Sequence, residues 1–242
     1  MIVLRRISLW AALTLLIYMP FHVFLAQSLS LLTGGLEIWK IGKDVFLAIV
    51  VVFTICLVWQ QRVWDRLFLW LVGLTAVYLF VHILLWWLNS NIYQESALLG
   101  IVYNTRLPAF LVLGYGAMRL YPGKFAFSSI VKLILVVSTI VAGLGVVQYF
   151  LPSDILTHLG YGLERGTRPA FFIEDNPDLP RIMSTLREPN ALGAYLILPA
   201  AALLTLLFKE QKPRVRYMFA LSLVLHLTAI FLTFSRSAWL GA

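Results

Sequence analysis

The sequence has little charge. Only 12% of its 242 residues are Asp, Glu, Lys or Arg, whereas 61% are hydrophobic. Soluble domains carry about 25% charged residues, so this chain has too few to cover a surface that faces water. The shortage excludes an ordinary soluble domain and predicts a protein whose solvent is lipid.

Cysteine is almost absent as well. Cys56 is the only cysteine, and it lies inside an apolar run. A single cysteine excludes an internal disulfide and a thiolate metal cluster, and we expect neither a metal nor a cofactor. Cys56 itself is predicted to be a small, buried packing residue.

The sequence also lacks a basic stripe, although its formal net charge is +8. The basic residues are scattered between apolar runs, unlike the clustered patches of proteins that bind nucleic acid. We therefore expect no nucleic-acid partner. In a membrane protein the excess of basic residues sorts by side of the bilayer.

Long apolar runs are what the sequence has in abundance. A helix needs about 20 apolar residues to cross a bilayer. Seven runs qualify, near residues 7–32, 44–61, 67–89, 98–118, 130–151, 190–208 and 217–235. They predict an all-α, polytopic transmembrane bundle of about seven spans, which forms a single transmembrane domain over residues 1–242 in contact with the lipid bilayer.

The first run has two interpretations. Arg5 and Arg6 precede an apolar core, as in a cleaved signal peptide. However, the uncharged stretch continues to Leu36, and a bulky residue, Phe24, stands just before the candidate cleavage site. A retained first helix, bent at Pro20, is the better interpretation.

Basic residues in short loops give the orientation. With the N-terminus in the cytoplasm, eleven of the 19 Lys and Arg residues fall inside and eight outside. The segment KEQKPRVR, residues 209–216, carries four positive charges and is predicted to be cytoplasmic. The long connection over 152–190 is then an outer, periplasmic loop, and long ordered loops tend to be functional.

The segment RIMSTLREPNALGAYL, residues 181–196, ends this loop. Pro189 and Asn190 are typical of a helix start, and Asn190 is predicted to cap the first backbone N–H groups. The positive end of such a helix binds anions, above all phosphate. The predicted phosphate cradle also has two arginines and two hydroxyl side chains: Arg181, Arg187, Ser184 and Thr185. The alternative is an ordinary capped helix with interfacial arginines.

Arg106 lies among apolar residues. A helix that began after it would have only 12 uncharged residues before Arg119, too few to span. The helix must therefore start near Leu98, which puts Arg106 inside the bilayer, where a charge costs roughly 2.5–3.5 kcal/mol. We predict that Arg106 faces a functional cavity; the alternative is a side chain that snorkels to the surface.

Arg236 lies in LTFSRSAWLGA, near the end of the chain. Ser235 and Ser237 flank it, and either could cap a new helix that starts at Ala238. A plain interfacial arginine beside Trp239 is the alternative.

Together, RIMSTLREPNALGAYLILP and LTFSRSAWLGA resemble the motifs of the O-antigen ligase and polymerase superfamily. The first family motif is an arginine, then small or hydroxyl residues, then a Pro-Asn pair that opens a helix. The second is a Ser-Arg-small turn at the end of a later helix. The resemblance covers residues 150–242 by motif and the rest of the chain by hydropathy alone.

The resemblance implies a glycosyltransferase in the bacterial inner membrane. Such enzymes transfer a glycan from polyprenyl diphosphate, usually undecaprenyl diphosphate, to an acceptor such as lipid A core or a growing glycan chain. They work without a metal ion and invert the anomeric centre. By matching position, Arg181 and Arg236 are predicted to bind the diphosphate, and we add Arg106 and Arg187 from their own surroundings.

The family's catalytic histidine lies in a later outer loop, and this chain stops at Ala242. We therefore expect the N-terminal part of a longer protein, inactive alone, and identify no catalytic residue in it. His158 does not match the family position, and Glu188 is the carboxylate nearest to the cradle. The other three histidines are predicted to be hydrogen-bonded core residues: His22, His82 and His226.

Two other functions stay open. Arginines inside a bundle could line the path of a transporter or flippase for an anionic lipid or solute. An inactive scaffold in an envelope complex is the third possibility.

Overall fold

The structure is a computed structural model that describes residues 2–89, 94–122 and 127–242, most of them helical. Seven helical segments within these residues are long and apolar enough to cross a membrane: Arg6–Thr33, Leu36–Gln60, Arg66–Leu88, Ala97–Leu120, Ile130–Tyr149, Pro189–Lys209 and Pro213–Leu232. The prediction of an all-α bundle of about seven spans is confirmed. The chain is a multi-pass membrane protein.

The helices of the first five spans follow closely on one another. The first span contains a 3-10 turn, Met19–Phe21, around Pro20, because proline has no N–H to donate within a helix; the bend expected there stays a prediction. The helices are α1 (Ile2–Tyr18), α2 (His22–Thr33), α3 (Leu36–Gln60), α4 (Arg66–Leu88), α5 (Gln94–Leu120) and α6 (Phe127–Tyr149).

The connection before the sixth span has some structure of its own. It contains a short helix, α7 (Ile155–His158), and a 3-10 turn, Leu163–Arg165. Strands β1 (Phe171–Ile173) and β2 (Asn176–Arg181) pair as an antiparallel hairpin in which Phe171 lies opposite Arg181. The remaining helices are α8 (Pro189–Lys209), α9 (Pro213–Leu232) and α10 (Arg236–Gly241).

The chain divides into two compact units. The first comprises Met1–Leu15 and Lys40–Ala126, and within it α4 packs against α5. The second comprises Leu16–Trp39 and Phe127–Ala242, where α6 and α8 both pack against α9. The connection between α6 and α8 (residues 150–188) belongs to the second unit, so α8 is positioned by α6 and α9.

A buried polar link joins α6 and α9. The side chain of His226 is fully buried, and its Nδ1 lies 2.8 Å from the Ser222 carbonyl oxygen. Its Nε2 lies 2.9 Å from the Ser138 hydroxyl on α6. The prediction of a hydrogen-bonded core histidine is confirmed for His226. His22 and His82 also bond to backbone carbonyls one turn away, at Met19 and Tyr78. Both are only half-buried, so they are hydrogen-bonded but are not core residues.

Two predictions are wrong. Cys56 is exposed on the surface of α3 and is not a packing residue. The second span begins at Leu36, eight residues before the predicted start at residue 44, and so includes charged residues. Among those residues, Lys43 lies 3.1 Å from the Asp44 carboxylate, and a neutralised charge does not end a membrane helix.

Candidate functional site

The two sequence motifs meet in the second unit. The Ile182 N–H donates to the Leu232 carbonyl at 3.2 Å. The Arg181 side chain donates from Nε to the Thr233 carbonyl at 2.8 Å, and from Nη2 to Asn190 Oδ1 at 3.0 Å. Arg181 therefore links the end of β2, the first turn of α8 and the turn after α9.

The first turn of α8 begins two residues earlier than a cap at Asn190 predicts. Pro189 is the first helical residue and Glu188 occupies the N-cap position, with no side-chain hydrogen bond to the helix. Asn190 is therefore not the cap; its side-chain oxygen accepts from Arg181 instead. An uncapped helix start leaves N–H groups free for an anion.

Arg236 stands at the start of α10, directly after the turn that Arg181 holds. It is exposed, and among residues 2–89, 94–122 and 127–242 its guanidinium has no hydrogen-bond or ion-pair partner. The helix starts at Arg236 and not at Ala238, because Ser235 takes the N-cap position. The backbone of Arg236 is thus fixed in α10, while its guanidinium N–H groups have no partner among the described residues.

Close packing fixes this turn against α8. A Cβ at Gly193 would lie 2.5 Å from the Ala238 Cβ and 3.3 Å from Thr233 Oγ1. Only glycine allows α8 and the turn before α10 to approach so closely. Residues Arg181, Arg236 and the first turn of α8 (189–191) together form what we call the arginine site.

Both motifs contain a strained residue. Ser184 and Phe234 have φ values of 53° and 50°, in the left-handed region that non-glycine residues rarely adopt. Strained residues of this kind cluster at active sites and ligand clamps, where the surrounding structure holds them. The strain supports a functional interpretation of the arginine site.

The two predicted hydroxyl ligands have other roles. Ser184 Oγ donates to the Val141 carbonyl at 2.6 Å and Thr185 Oγ1 to the Pro20 carbonyl at 2.8 Å. Both residues are at most 5% exposed. This corrects their assignment to the phosphate cradle, because their hydroxyl hydrogens hold the loop against α6 and the turn at Pro20.

Gln148 is a positioning residue that the sequence did not reveal. Its Oε1 accepts from the N–H groups of Met183 and Ser184, at 3.1 and 2.7 Å. On the same helix, Gly145 lets Ile182 Cδ1 come within 3.1 Å of where a Cβ would stand. A lone glutamine near the end of an apolar span was the only signal, and its partners are more than 30 residues away.

Arg106 is taken out of the predicted diphosphate site. It lies within α5, nine residues after the start of that span at Ala97, so the helix begins before Arg106 as predicted. However, its Nε and Nη2 each donate to an Asp44 carboxylate oxygen at 2.7 Å. This two-pronged pair uses the fork, and Arg106 belongs to the first unit, whereas the other three arginines belong to the second.

A third charge completes this group, which we call the charged triad. Lys43 Nζ lies 3.1 Å from Asp44 Oδ2 and donates to the Lys40 carbonyl at 2.6 Å. The side chains of Lys43 and Asp44 are only 3% and 8% exposed. Two cations share one carboxylate, so the triad carries a formal charge of +1 within the membrane-spanning part of the first unit.

Arg187 lines a different cavity from Arg181. Arg181 borders a cavity of about 200 Å³ beside Gln148, whereas Arg187 borders one of about 380 Å³ formed by the outer connection. Among the described residues its polar contact is a 3.3 Å bond from Nη2 to the Gly166 carbonyl. Arg187 therefore does not pair with Glu188, and the structure does not bring it into the arginine site.

The candidates for proton transfer near the site are few. His158 is 74% exposed at its side chain, 3.8 Å from Asp154. Tyr161 is buried, and burial raises the pKa of its phenol, which keeps it neutral at physiological pH. Glu188 is exposed at the N-cap of α8, two residues from Asn190. Of the three, Glu188 lies nearest to the arginine site along the chain.

The arginine site is suited to a polyanion. Arginine forms two parallel hydrogen bonds to phosphate oxygens, and the α8 dipole adds positive potential at the same place. No group of three or more His, Cys, Asp or Glu side chains in the part of the chain that the structure describes could hold a metal ion. Arg181, Arg236 and the N–H groups of the first turn of α8 are the groups that could meet the charge of such a ligand.

Comparison of the chain with known proteins finds no similar protein. The chain matches no model of a protein family, and neither the curated proteins nor the solved structures give a significant match. The geometry of the arginine site and the two sequence motifs that form it are therefore the observations that bear on function.

Proposed function

We propose that this protein is a membrane glycosyltransferase of the O-antigen ligase type. Its donor is a glycan on polyprenyl diphosphate, such as undecaprenyl diphosphate, and its acceptor is lipid A core or another glycan in cell-surface polysaccharide synthesis. The protein lies in the bacterial inner membrane with its N-terminus in the cytoplasm. The arginine site binds the diphosphate on the outer side.

One observation carries the proposal. The two motifs that resemble the ligase family are 52 residues apart at Arg181 and Thr233, and direct hydrogen bonds join them. Arg181 is half-buried and bonded to Asn190 at the start of α8. The turn that precedes Arg236 packs against the same helix at Gly193, and Arg236 has no partner among the described residues. The packing of α8 against α9 brings these two ends of the helices together, and the direct bonds between residues of the two motifs support a shared site.

The chemistry of transfer needs such a site. When the acceptor oxygen attacks the anomeric carbon, the carbon–oxygen bond to the diphosphate breaks and negative charge grows on the leaving group. Fixed donors stabilise that charge without having to reorganise, and more strongly where water is scarce. Arg236 supplies an unoccupied fork, and Arg181 and the first turn of α8 supply a preorganised positive surface.

Loss of the gene tests the function in cells. We expect its deletion to deplete transferred surface glycan and to accumulate glycan on polyprenyl diphosphate, measured by gel analysis of surface polysaccharide and mass spectrometry of the lipids. Wild-type protein should restore both, and Arg236→Ala at equal expression should restore less than a tenth, because it lacks a diphosphate ligand. Arg214→Ala, an exposed arginine in the first turn of α9, is the matched control. Unchanged glycan and lipid pools after deletion would refute the proposal.

The orientation has its own test. We expect a cysteine at Ser153 to react with an impermeant thiol reagent in intact cells or spheroplasts, and a cysteine at Lys212 to be protected, in a Cys56→Ala background. The reason is the four basic residues of segment 209–216, which favour the cytoplasm. Labelling at position 212 together with protection at 153 would reverse the orientation and put the arginine site on the wrong side.

A transporter or flippase for an anionic lipid or solute is the second candidate. The charged triad between α3 and α5 favours it, since charges inside a membrane often mark a pathway. An apolar cavity of about 310 Å³ adjoins the triad and is lined by Asp44 and Arg106. A transport path needs charges along several helices, however, and the triad occupies one level of two helices. We therefore place this function second.

A further inference from the structure

The outer connection encloses a cavity that the proposed donor site does not use. It measures about 380 Å³ and is lined by Leu163, Gly166, Thr167, Arg168, Phe171, Arg187 and Glu188. Ligand cavities typically measure about 300–1,000 Å³. The cavity therefore has room for a small polar ligand such as one sugar ring.

The charges on this cavity are not neutralised within the protein. Among the described residues, the Arg168 guanidinium has only the Phe171 ring as a neighbour, at 6.0 Å, and Arg187 has a single 3.3 Å bond to the Gly166 carbonyl. Glu188 makes no ion pair with either arginine in the described part of the chain. Two free cations and one free carboxylate leave the cavity with a formal charge of +1, which favours an anionic ligand.

A buried hydroxyl on the same cavity has no partner. Thr167 is 7% exposed, and its Oγ1 makes no hydrogen bond among the described residues. Its backbone is fixed by a bridge to Gly162 and by the bond from its N–H to the Gly162 carbonyl, 3.1 Å long. An unpaired buried polar group costs about 1–3 kcal/mol unless something else pairs with it. A ligand with hydroxyl groups would remove that cost.

The remaining wall suits a sugar ring. Phe171 presents an aromatic face in the first strand of the hairpin, and Leu163 is a second apolar neighbour. Glu188 can accept hydrogen bonds from sugar hydroxyls, since an ionised carboxylate offers two acceptor oxygens. Apolar walls with a few polar groups are typical of small-molecule sites.

We propose that this cavity binds an acidic sugar, a hexose that carries a carboxylate or a phosphate, as part of the acceptor glycan. The assignment to the acceptor rests on the proposed transferase function. Arg168 and Arg187 bind the acidic group, and Glu188 and Thr167 bind ring hydroxyls. The cavity adjoins the start of α8 through Glu188, two residues from Asn190 of the arginine site, so the acceptor lies beside the donor's leaving group.

Binding of simple probes tests the cavity without any transfer reaction. Purified protein in detergent is titrated with glucose 6-phosphate, glucuronic acid, glucose and inorganic phosphate, and binding is followed by saturation transfer from protein to sugar protons and by calorimetry. We expect both acidic sugars to bind at least about tenfold more tightly than glucose or phosphate, because only they engage both arginines and the hydroxyl-binding groups. Arg168→Ala and Arg187→Ala should each weaken glucose 6-phosphate binding by about tenfold or more.

Two further variants separate this site from the donor site. Arg236→Ala, which removes a proposed diphosphate ligand, should leave glucose 6-phosphate affinity unchanged, as should Arg214→Ala. Thr167→Val should weaken sugar binding severalfold without lowering the melting temperature, because the hydroxyl has no protein partner to lose.

Equal affinity for glucose and glucose 6-phosphate, equal affinity for inorganic phosphate, or unchanged binding in both cavity arginine variants would overturn the proposal. A loss of glucose 6-phosphate binding in Arg236→Ala would move the ligand to the arginine site. Acidic-sugar binding in a protein that fails the gene-deletion test would keep the cavity and refute only the transferase.

Discussion

Replacing Asp44 with alanine is expected to lower the free energy of unfolding by about 3–5 kcal/mol. The substitution leaves the buried Lys43 and the half-buried Arg106 without a counter-charge, and removal of one partner from a buried ion pair costs about that much. The Asp44 side chain is 8% exposed. It accepts three hydrogen bonds, one from Lys43 Nζ and two from Arg106, through Nε and Nη2. Unfolding of the purified protein in detergent, by heat or by SDS titration, measures the effect.

Two controls identify the cause. Removing all three charges together, by Lys43→Met, Asp44→Leu and Arg106→Met, should restore stability to near the wild-type value, because apolar replacements of a buried ionic group are often neutral or stabilising. Asp154→Ala removes a carboxylate that is 69% exposed and should change stability by no more than about 1 kcal/mol. If Asp44→Ala is as mild as Asp154→Ala, the triad is not a buried, neutralising group.

The boundaries of the spans show what hydropathy can and cannot predict. Six of the seven spans start within four residues of the predicted positions, because the apolar runs are long and are bounded by charge. The exception is α3, which begins at Leu36, since the prediction ended each span at a charge. The charge beside the predicted boundary, Lys43, pairs with Asp44, and Asp44 also accepts from Arg106, 62 residues away. No local pattern reveals such a distant partner.

The arginine site was predicted in part. Proline and asparagine indicate the start of α8 to within two residues, because proline favours the first helical position. The hydroxyls of Ser184 and Thr185 were assigned to phosphate, since their residue type suits it. Their partners are the carbonyls of Val141 and Pro20, set by tertiary packing that the local sequence does not encode. The hydrogen bonds of Gln148 to Met183 and Ser184 depend on tertiary packing in the same way.

The hairpin of β1 and β2 is also not predicted by the sequence pattern. Pro177 and Pro180 lie inside β2, and proline cannot donate to a ladder. The pairing succeeds because the strand has a single partner and only six residues, with a register shift beside Phe172. Its function in the fold is to deliver Arg181 to the start of α8, since Phe171 and Arg181 lie opposite one another.

Arg236→Ala is expected to weaken the binding of undecaprenyl diphosphate by about 10- to 100-fold. A hydrogen bond to a charged group contributes about 1.5–3 kcal/mol, and each 1.4 kcal/mol is tenfold in affinity. The guanidinium has no partner in the described part of the chain, so its loss should leave the fold and the melting temperature intact. Arg236→Lys should recover only part of the affinity, because lysine lacks the two-pronged geometry.

The affinity of the purified protein for undecaprenyl diphosphate tests most directly whether the arginine site binds a polyprenyl diphosphate. Native mass spectrometry or calorimetry in detergent compares wild type with Arg236→Ala, with Arg214→Ala as the matched loss of one exposed arginine. The account predicts saturable binding by wild type and Arg214→Ala, and binding about 10- to 100-fold weaker by Arg236→Ala at an equal melting temperature. Equal affinity in all three proteins, or no saturable binding by the wild type, would contradict it.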